Sequence, residues 1–346
     1  MTDYSVILRA RHCSCQRITA AAARSTGGRV SADFDGDRLT AVLTDALPSG
    51  VLERLGLRGH RITVLRDVPG QNANWLVEGF PRGRMVLRRY HARATPADLS
   101  YEHAVLRHLA KAGWVVPEPV GELVQHEGLW YCPTRFVPGE PAGQESAGQR
   151  RRRGRDLARL HIAMRGLGER MGQRPGWRAQ HGGVTVPTSI DWAACLRGLA
   201  EVSPRLASQA AAAAVQTRDA LAAIGAGGLP VTVVHGDFAE WNVHYERGCL
   251  AGVIDFGLTH LDSRPYELAI ARTYRSPETI DAYRAELARG GWPLSELEEA
   301  AIEPVNRAFR VDMAAWQMDH GRRTGDFDLA MIERQLSRTG TSLLTS

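Results

Sequence analysis

No stretch of the 346-residue chain approaches the roughly 18 consecutive apolar residues of a membrane span, and Met1-Thr2-Asp3-Tyr4 lacks the charged-then-apolar layout of a secretory leader. A cytoplasmic protein without a membrane partner is expected. Cysteine is scarce and odd in number: Cys13, Cys15, Cys132, Cys195 and Cys249 are scattered, which argues against a disulfide framework and fits a reducing compartment. His12-Cys13-Ser14-Cys15 offers half a zinc site, but no second Cys/His pair follows at zinc spacing. Internal repeats and long low-complexity tracts are also lacking, and the alanine-rich stretch 207–215 reads as helix.

Neither charge sign dominates. The net charge is +5, and the arginines are dispersed apart from one run, Arg150 to Arg153 with Arg155. That run leads into Leu157, Leu160, Ile162 and Met164 at helical spacing, so it reads as a solvated helix start, and no nucleic-acid partner is expected. With acids in the minority, the balance favours a neutral or anionic small molecule over a polycation. What the chain does have is 44% hydrophobic residues, enough for two lobes with cores of their own.

Three segments follow from the patterning. Residues 1–60 form an N-terminal extension, open to joining the next lobe, with an apolar run at 4–8, a hairpin at 30–34 and 39–43, and helical spacing at Val51, Leu52, Leu55 and Leu57. Asp35-Gly36-Asp37 joins that hairpin, and with Asp33 it offers three acids of a calcium loop without the remaining ligands or the distal glutamate, so a polar turn is expected. Residues 61–137 alternate strand patterns (61–65, 74–78, 85–90) with one helix (99–111) that Gly113, Pro117 and Pro119 terminate. A strand pair about Glu127-Gly128 completes this part, and a hinge is placed near 134–138. Residues 139–346 are mostly helical, with one β interlude at 231–256.

That interlude carries the chemistry. The segment from Val233 to Val243 places Asp237 and Asn242 five positions apart after an apolar strand, and a second strand at 251–254 delivers Asp255-Phe256-Gly257. A turn at Glu246-Arg247-Gly248 would bring Asn242 beside Asp255. Phosphoryl transfer needs this equipment: a carboxylate to orient the attacking hydroxyl, and a second carboxylate with an amide oxygen as hard ligands for Mg²⁺.

His235-Gly236-Asp237 with Asn242, followed by Ile254-Asp255-Phe256-Gly257, resembles the two signature motifs of the aminoglycoside phosphotransferase and choline kinase superfamily, relatives of the protein kinases. The resemblance, which covers residue 61 onward, implies an α+β two-lobe kinase-like fold with a small antiparallel-sheet N-lobe and a larger, mainly helical C-lobe. It implies Asp237 as the catalytic aspartate, Asn242 and Asp255 as Mg²⁺ ligands, and His235 as a brace of the loop. Arg88 stands where the phosphate-binding lysine is usual and Glu102 where its ion-pair partner is. Arg89 is the off-by-one competitor, which strand alternation turns to the other face. Pro133 to Gly139 is similar to the family's hinge, with the backbone of Arg135, Phe136 and Val137 receiving the base of ATP or GTP. Leu157 to His161 resembles a packing helix of these proteins, and Glu267 stands where a loop-stabilising aspartate is usual.

The departures narrow the substrate. Gly236 replaces the protein kinases' arginine and no A-P-E sequence follows, so a protein substrate is not expected. The phosphate-covering turn, 68–74, has one glycine. The implied activity is γ-phosphoryl transfer to a small-molecule hydroxyl, with a sugar- or nucleoside-containing antibiotic favoured. A metabolic kinase of a sugar or amino alcohol such as homoserine is the alternative, and a non-catalytic ligand-binding pseudokinase stands behind both. Asn306, Arg310, Asp312, Trp316 and Asp319, on one helical pattern, are candidates to line the acceptor site or simply core and solvated positions. A monomer or homodimer is expected.

Overall fold

The computed structural model describes residues 47–66, 72–80, 83–141, 145–177, 190–271 and 276–337. The hairpin, the three aspartates and the His12 to Cys15 group of the first 46 residues lie outside these, as does most of the 68–74 turn. The described residues divide into two compact units, 47–110 with 116–137, and 111–115 with 138 onward.

The first unit is built on a five-stranded antiparallel sheet in the order β1-β2-β3-β5-β4. Its strands are β1 (Arg61–Arg66), β2 (Ala73–Phe80), β3 (Gly83–Arg89), β4 (Val124–His126) and β5 (Leu129–Arg135). A short helix α1 (Ser49–Arg54) precedes it, and α2 (Pro96–Lys111) joins β3 to β4. Strand alternation sorts the two faces. Met85 and Leu87 join Trp75, Val77, Ile62 and Tyr131 in one core, to which Leu47, Val51 and Leu57 of the preceding segment belong. The even positions of β3 turn to the other face, where Tyr90 packs with Leu99 of α2 and with Cys132.

In the second unit, α3 (Ala147–Met164) starts on a capping box of Ser146 and Gln149 and packs closely on α8 (Pro277–Arg289). A Cβ on Gly154 would stand 2.1 Å from the Thr279 carbonyl oxygen, so the two helices require glycine there. Between them in sequence come α4 (Leu167–Met171), α5 (Trp192–Val202), α6 (Pro204–Ala223) and α7 (Arg264–Ile270); α9 (Glu296–Thr324) and α10 (Leu329–Leu336) follow. The β content exceeds the single expected interlude. Short β6 (Glu140–Pro141) pairs with β8 (Val243–Glu246), which pairs in turn with β9 (Cys249–Val253), while β7 (Thr232–Val234) pairs with β10 (His260–Asp262). The arginine run is also not uniformly solvated. Arg153 is buried, with Nε and Nη2 on Glu145 and Nη1 donating to the Ala271 carbonyl at 2.6 Å, and Arg150 reaches Glu278.

The polar residues of α9 singled out from the sequence, Asn306, Arg310, Asp312 and Asp319, are buried. Trp316 is buried, and Asp319 is paired with Arg322 and Arg323. Asp312 is buried too; its Oδ1 has no hydrogen-bond partner among the described residues, and burial pushes its carboxyl well above the usual carboxylate range. A carboxyl with a raised folded-state pKa keeps its proton longer than in the unfolded chain, so its contribution erodes stability as pH climbs past the unfolded value of about 3.9. At neutral pH, Asp312→Asn keeps the shape and removes the titration, and is expected to stabilise by about 1–3 kcal/mol. Thermal denaturation of both proteins from about pH 4 to pH 8 checks this; a difference between them that does not grow with pH contradicts the assignment.

No helix among the described residues is long and apolar enough to cross a membrane.

Candidate active site

Buried β7 ends at Val234, and the chain turns sharply after His235. Gly236 sits at φ +81°, and a Cβ there would meet the Leu258 carbonyl oxygen at 2.2 Å, so only glycine fits both the conformation and the space. Gly236→Ala must therefore displace the loop. Turnover is expected to fall by about 100-fold or more in protein whose circular dichroism still shows the fold; wild-type kinetics in that variant would mean the loop position is unimportant.

Two side chains hold the loop. His235 Nδ1 accepts from the Asp237 N–H at 3.1 Å, which requires the Nε2–H tautomer, and Nε2 then donates to the Ile254 carbonyl at 2.9 Å. The histidine thus braces the loop against the strand end that carries Asp255. Glu267 of α7, fully buried, accepts from the N–H groups of Gly236 at 3.1 Å and Phe238 at 3.4 Å. Burial pushes the Glu267 carboxyl up, but His161, His235 and the Gly236 amide outweigh it and hold the group below its ordinary value. His161 of α3, whose Nε2 lies 3.8 Å from Glu267, is in turn fixed by the Tyr283 hydroxyl of α8 at 2.7 Å. Three helices therefore converge on one turn of backbone. The glutamate's longer side chain performs the bracing role expected at 267. Tyr283 was not foreseen, since nothing local marks a partner 122 residues from His161.

Asp237 and Asn242 are both buried and in direct contact. The Asn242 amide nitrogen donates to Asp237 Oδ2 at 2.7 Å and to the Asp237 carbonyl at 2.8 Å, which orients the carboxylate and leaves the amide oxygen as the atom to meet a cation. The β8–β9 hairpin then does what its turn residues suggest. Arg247 and Gly248 are both left-handed, at φ +48° and +76°, as a two-residue hairpin turn requires. Val243 pairs with Val253, and the Ile254 N–H donates to the Asn242 carbonyl at 2.9 Å, which puts Asp255 one residue beyond Asn242's neighbour. Asp255 is half-buried and left-handed, at φ +66° and ψ +59°. A non-glycine residue held there stores strain, which recurs where side-chain aim is functional. A carboxylate and an amide oxygen are hard donors, few enough to leave Mg²⁺ its waters and phosphate ligands, so the donor set fits that ion.

The first unit makes its own buried pair. Arg88 Nη1 bonds Glu102 Oε1 at 3.1 Å with both residues buried, and the guanidinium lies 4.9 Å from the Tyr90 ring centroid, itself tied to His103 at 2.7 Å. Arg89 faces the other way, over Trp75. At the hinge the details differ from expectation. The Arg135 N–H is already used, donating to the Glu118 carbonyl at 2.8 Å, and its side chain pairs with Glu118 as well. Arg135 is thereby removed as an amide donor to a base, while Phe136 lies beneath the Arg84 guanidinium and Val137 is buried.

The sequence profile of the phosphotransferase enzyme family matches residues 65–301. A homoserine kinase of Xanthobacter autotrophicus is 30% identical over 287 residues, which cover 77% of this chain and 84% of that enzyme. Among solved structures, a microcompartment-associated aminopropanol kinase superposes with a TM-score of 0.62 at 18% identity, covering 86% of this chain and 94% of that one. A thermostable mutant of the aminoglycoside phosphotransferase APH(4)-Ia, in a complex with ADP and hygromycin B, gives 0.61 at 18% identity, covering 86% and 99%. At such identities the structures show the fold, an α+β two-lobe kinase-like fold as the motifs implied. The profile runs through the buried Arg88–Glu102 pair, the glycine-turned Asp237 loop and the strand that delivers Asp255, and the chain belongs to the phosphotransferase enzyme family.

Proposed function

We propose that this protein transfers the γ-phosphoryl group of ATP or GTP to the hydroxyl of a small amino alcohol of the homoserine type. The observation that carries the transfer is the Asn242 amide clamped on the Asp237 carboxylate at 2.7 Å, with Asp255 delivered one residue past Asn242's hydrogen-bonded neighbour. In this reading Asp237 orients the acceptor hydroxyl and takes its proton, while Asn242 and Asp255 hold Mg²⁺, which neutralises charge on the phosphates. Arg88, kept in place by Glu102, contacts the nucleotide phosphates through a fork of donors that lysine lacks, and the backbone of Phe136 and Val137 meets the base. Two buried, mutually bonded loop residues and an intact Arg88–Glu102 pair speak for an active enzyme over a pseudokinase.

The acceptor class moves from the antibiotic favoured on sequence to the amino alcohol, because the curated relative with 30% identity is named a homoserine kinase. The likeness to the hygromycin-bound enzyme, at 18% identity, speaks to fold and leaves its acceptor with that enzyme. Comparing kcat/KM for L-homoserine, 1-amino-2-propanol and hygromycin B with Mg²⁺ and either nucleotide tests this. L-homoserine is expected to be preferred by about 100-fold or more, since a site that pairs both ammonium and carboxylate rejects acceptors lacking one of them. Preference for hygromycin B would restore the antibiotic reading.

A further inference from the structure

A cavity of about 240 Å³ opens within the second unit, and no residue of the 235–242 loop lines it. Its walls are the 112–115 segment, Asp156 and Arg159 of α3, and residues 250–252 of β9. At ~30 Å³ per water it has room for about eight waters, the size of one amino acid and well short of a nucleotide. The walls are tied to each other, because the Val253 N–H donates to the Val115 carbonyl at 3.0 Å.

Three side chains give the cavity its chemistry. Asp156 is 3% exposed, and its Oδ2 accepts from the Tyr245 hydroxyl at 3.1 Å. Arg159 brings Nη1 to 3.8 Å from Asp156 Oδ1 and spends its Nε on Glu286 at 2.8 Å, so the outer end of its fork stays open to solvent. Trp114 is half-buried and stacks on no ring or cation among the described residues. Arg152 and Arg155 stand on the same helical stripe, in reach of Asp156, and neither makes an ion pair among the described residues. Burial pushes the Asp156 carboxyl up against the pull of Tyr245 and these arginines.

We propose that this cavity binds a free aromatic α-amino acid. The adjacent Asp156 and Arg159 complement an ammonium and carboxylate held on one carbon, and Trp114, with the apolar Val115, Leu250 and Ala251, receives the ring. A plain anion would meet the buried Asp156 carboxylate, and a plain cation would meet three arginines, so both charges on one small ligand are required.

The test is calorimetric titration of the full chain with L-phenylalanine, beside phenethylamine, N-acetyl-L-phenylalanine and L-alanine, which lack the carboxylate, the free ammonium and the ring. Saturable binding of L-phenylalanine with half-saturation around millimolar is expected for so open a site, with each control weaker by about tenfold or more. Arg159→Met and Trp114→Ala should each weaken it to a similar degree; in Arg159→Met, Glu286 keeps Arg289 as a partner. No saturable binding, or binding that the controls match, overturns the proposal. So does binding unchanged in both variants, which would put the amino acid elsewhere, including on the acceptor site.

Discussion

Asp237→Asn is expected to lower kcat by about 10³-fold while the affinity for magnesium nucleotide stays close to that of the wild type. The asparagine keeps the size of the side chain, so the loop braced by His235 and Glu267 retains its shape, since those contacts fall on backbone N–H groups of Gly236, Asp237 and Phe238. What it removes is the negative oxygen that, in the proposed reading, draws the acceptor's proton. The loss should therefore appear equally in kcat and kcat/KM, as for an interaction made only in the transition state. Steady-state kinetics with an independent nucleotide titration separate the two quantities. Retained turnover would mean that another group orients the hydroxyl, and a collapse of nucleotide affinity would mean that Asp237 belongs to the metal.

Asp255→Ala should fail differently. Here the proposed ligand to the cation is lost, so both the affinity for magnesium nucleotide and the rate are expected to fall, each by about tenfold to a hundredfold or more. Alanine no longer requires the aimed carboxylate, yet it inherits the left-handed backbone at φ +66°, so the strain remains and no stabilisation follows. Titrating Mg²⁺ at fixed nucleotide checks the assignment, because added metal should recover part of the activity of Asp255→Ala and none of that of Asp237→Asn. Equal insensitivity to Mg²⁺ in both variants would remove Asp255 from the metal site.

The fold was legible in the motifs, and the residues of the candidate site could be named together for a local reason. Asp237, Asn242 and Asp255 lie within 19 residues, joined by a strand end and a hairpin whose turn type is written in Arg247 and Gly248. The Arg88–Glu102 pair came from the resemblance to the family, with strand alternation choosing Arg88 over Arg89. Contacts between residues distant in sequence carried no such signal. Tyr283 meets His161 across two helices, and Arg153 caps the end of α7 from within a run that reads as solvent-facing. A helical pattern locates Asp312 but says nothing about which neighbours surround it, so its burial without a partner emerges only from packing. The Arg135 amide shows the same limit at the hinge, where pairing with Glu118, 17 residues earlier, decides which backbone donors remain.

The most direct test of the central claim is to incubate the protein with L-homoserine, Mg²⁺ and ATP labelled in its γ-phosphate, and to follow the label by chromatography and mass spectrometry. Label in a phosphomonoester on the homoserine side-chain oxygen, absent with Asp237→Asn, is the expected result. Label that stays in ATP or appears solely as inorganic phosphate would contradict transfer to an amino alcohol.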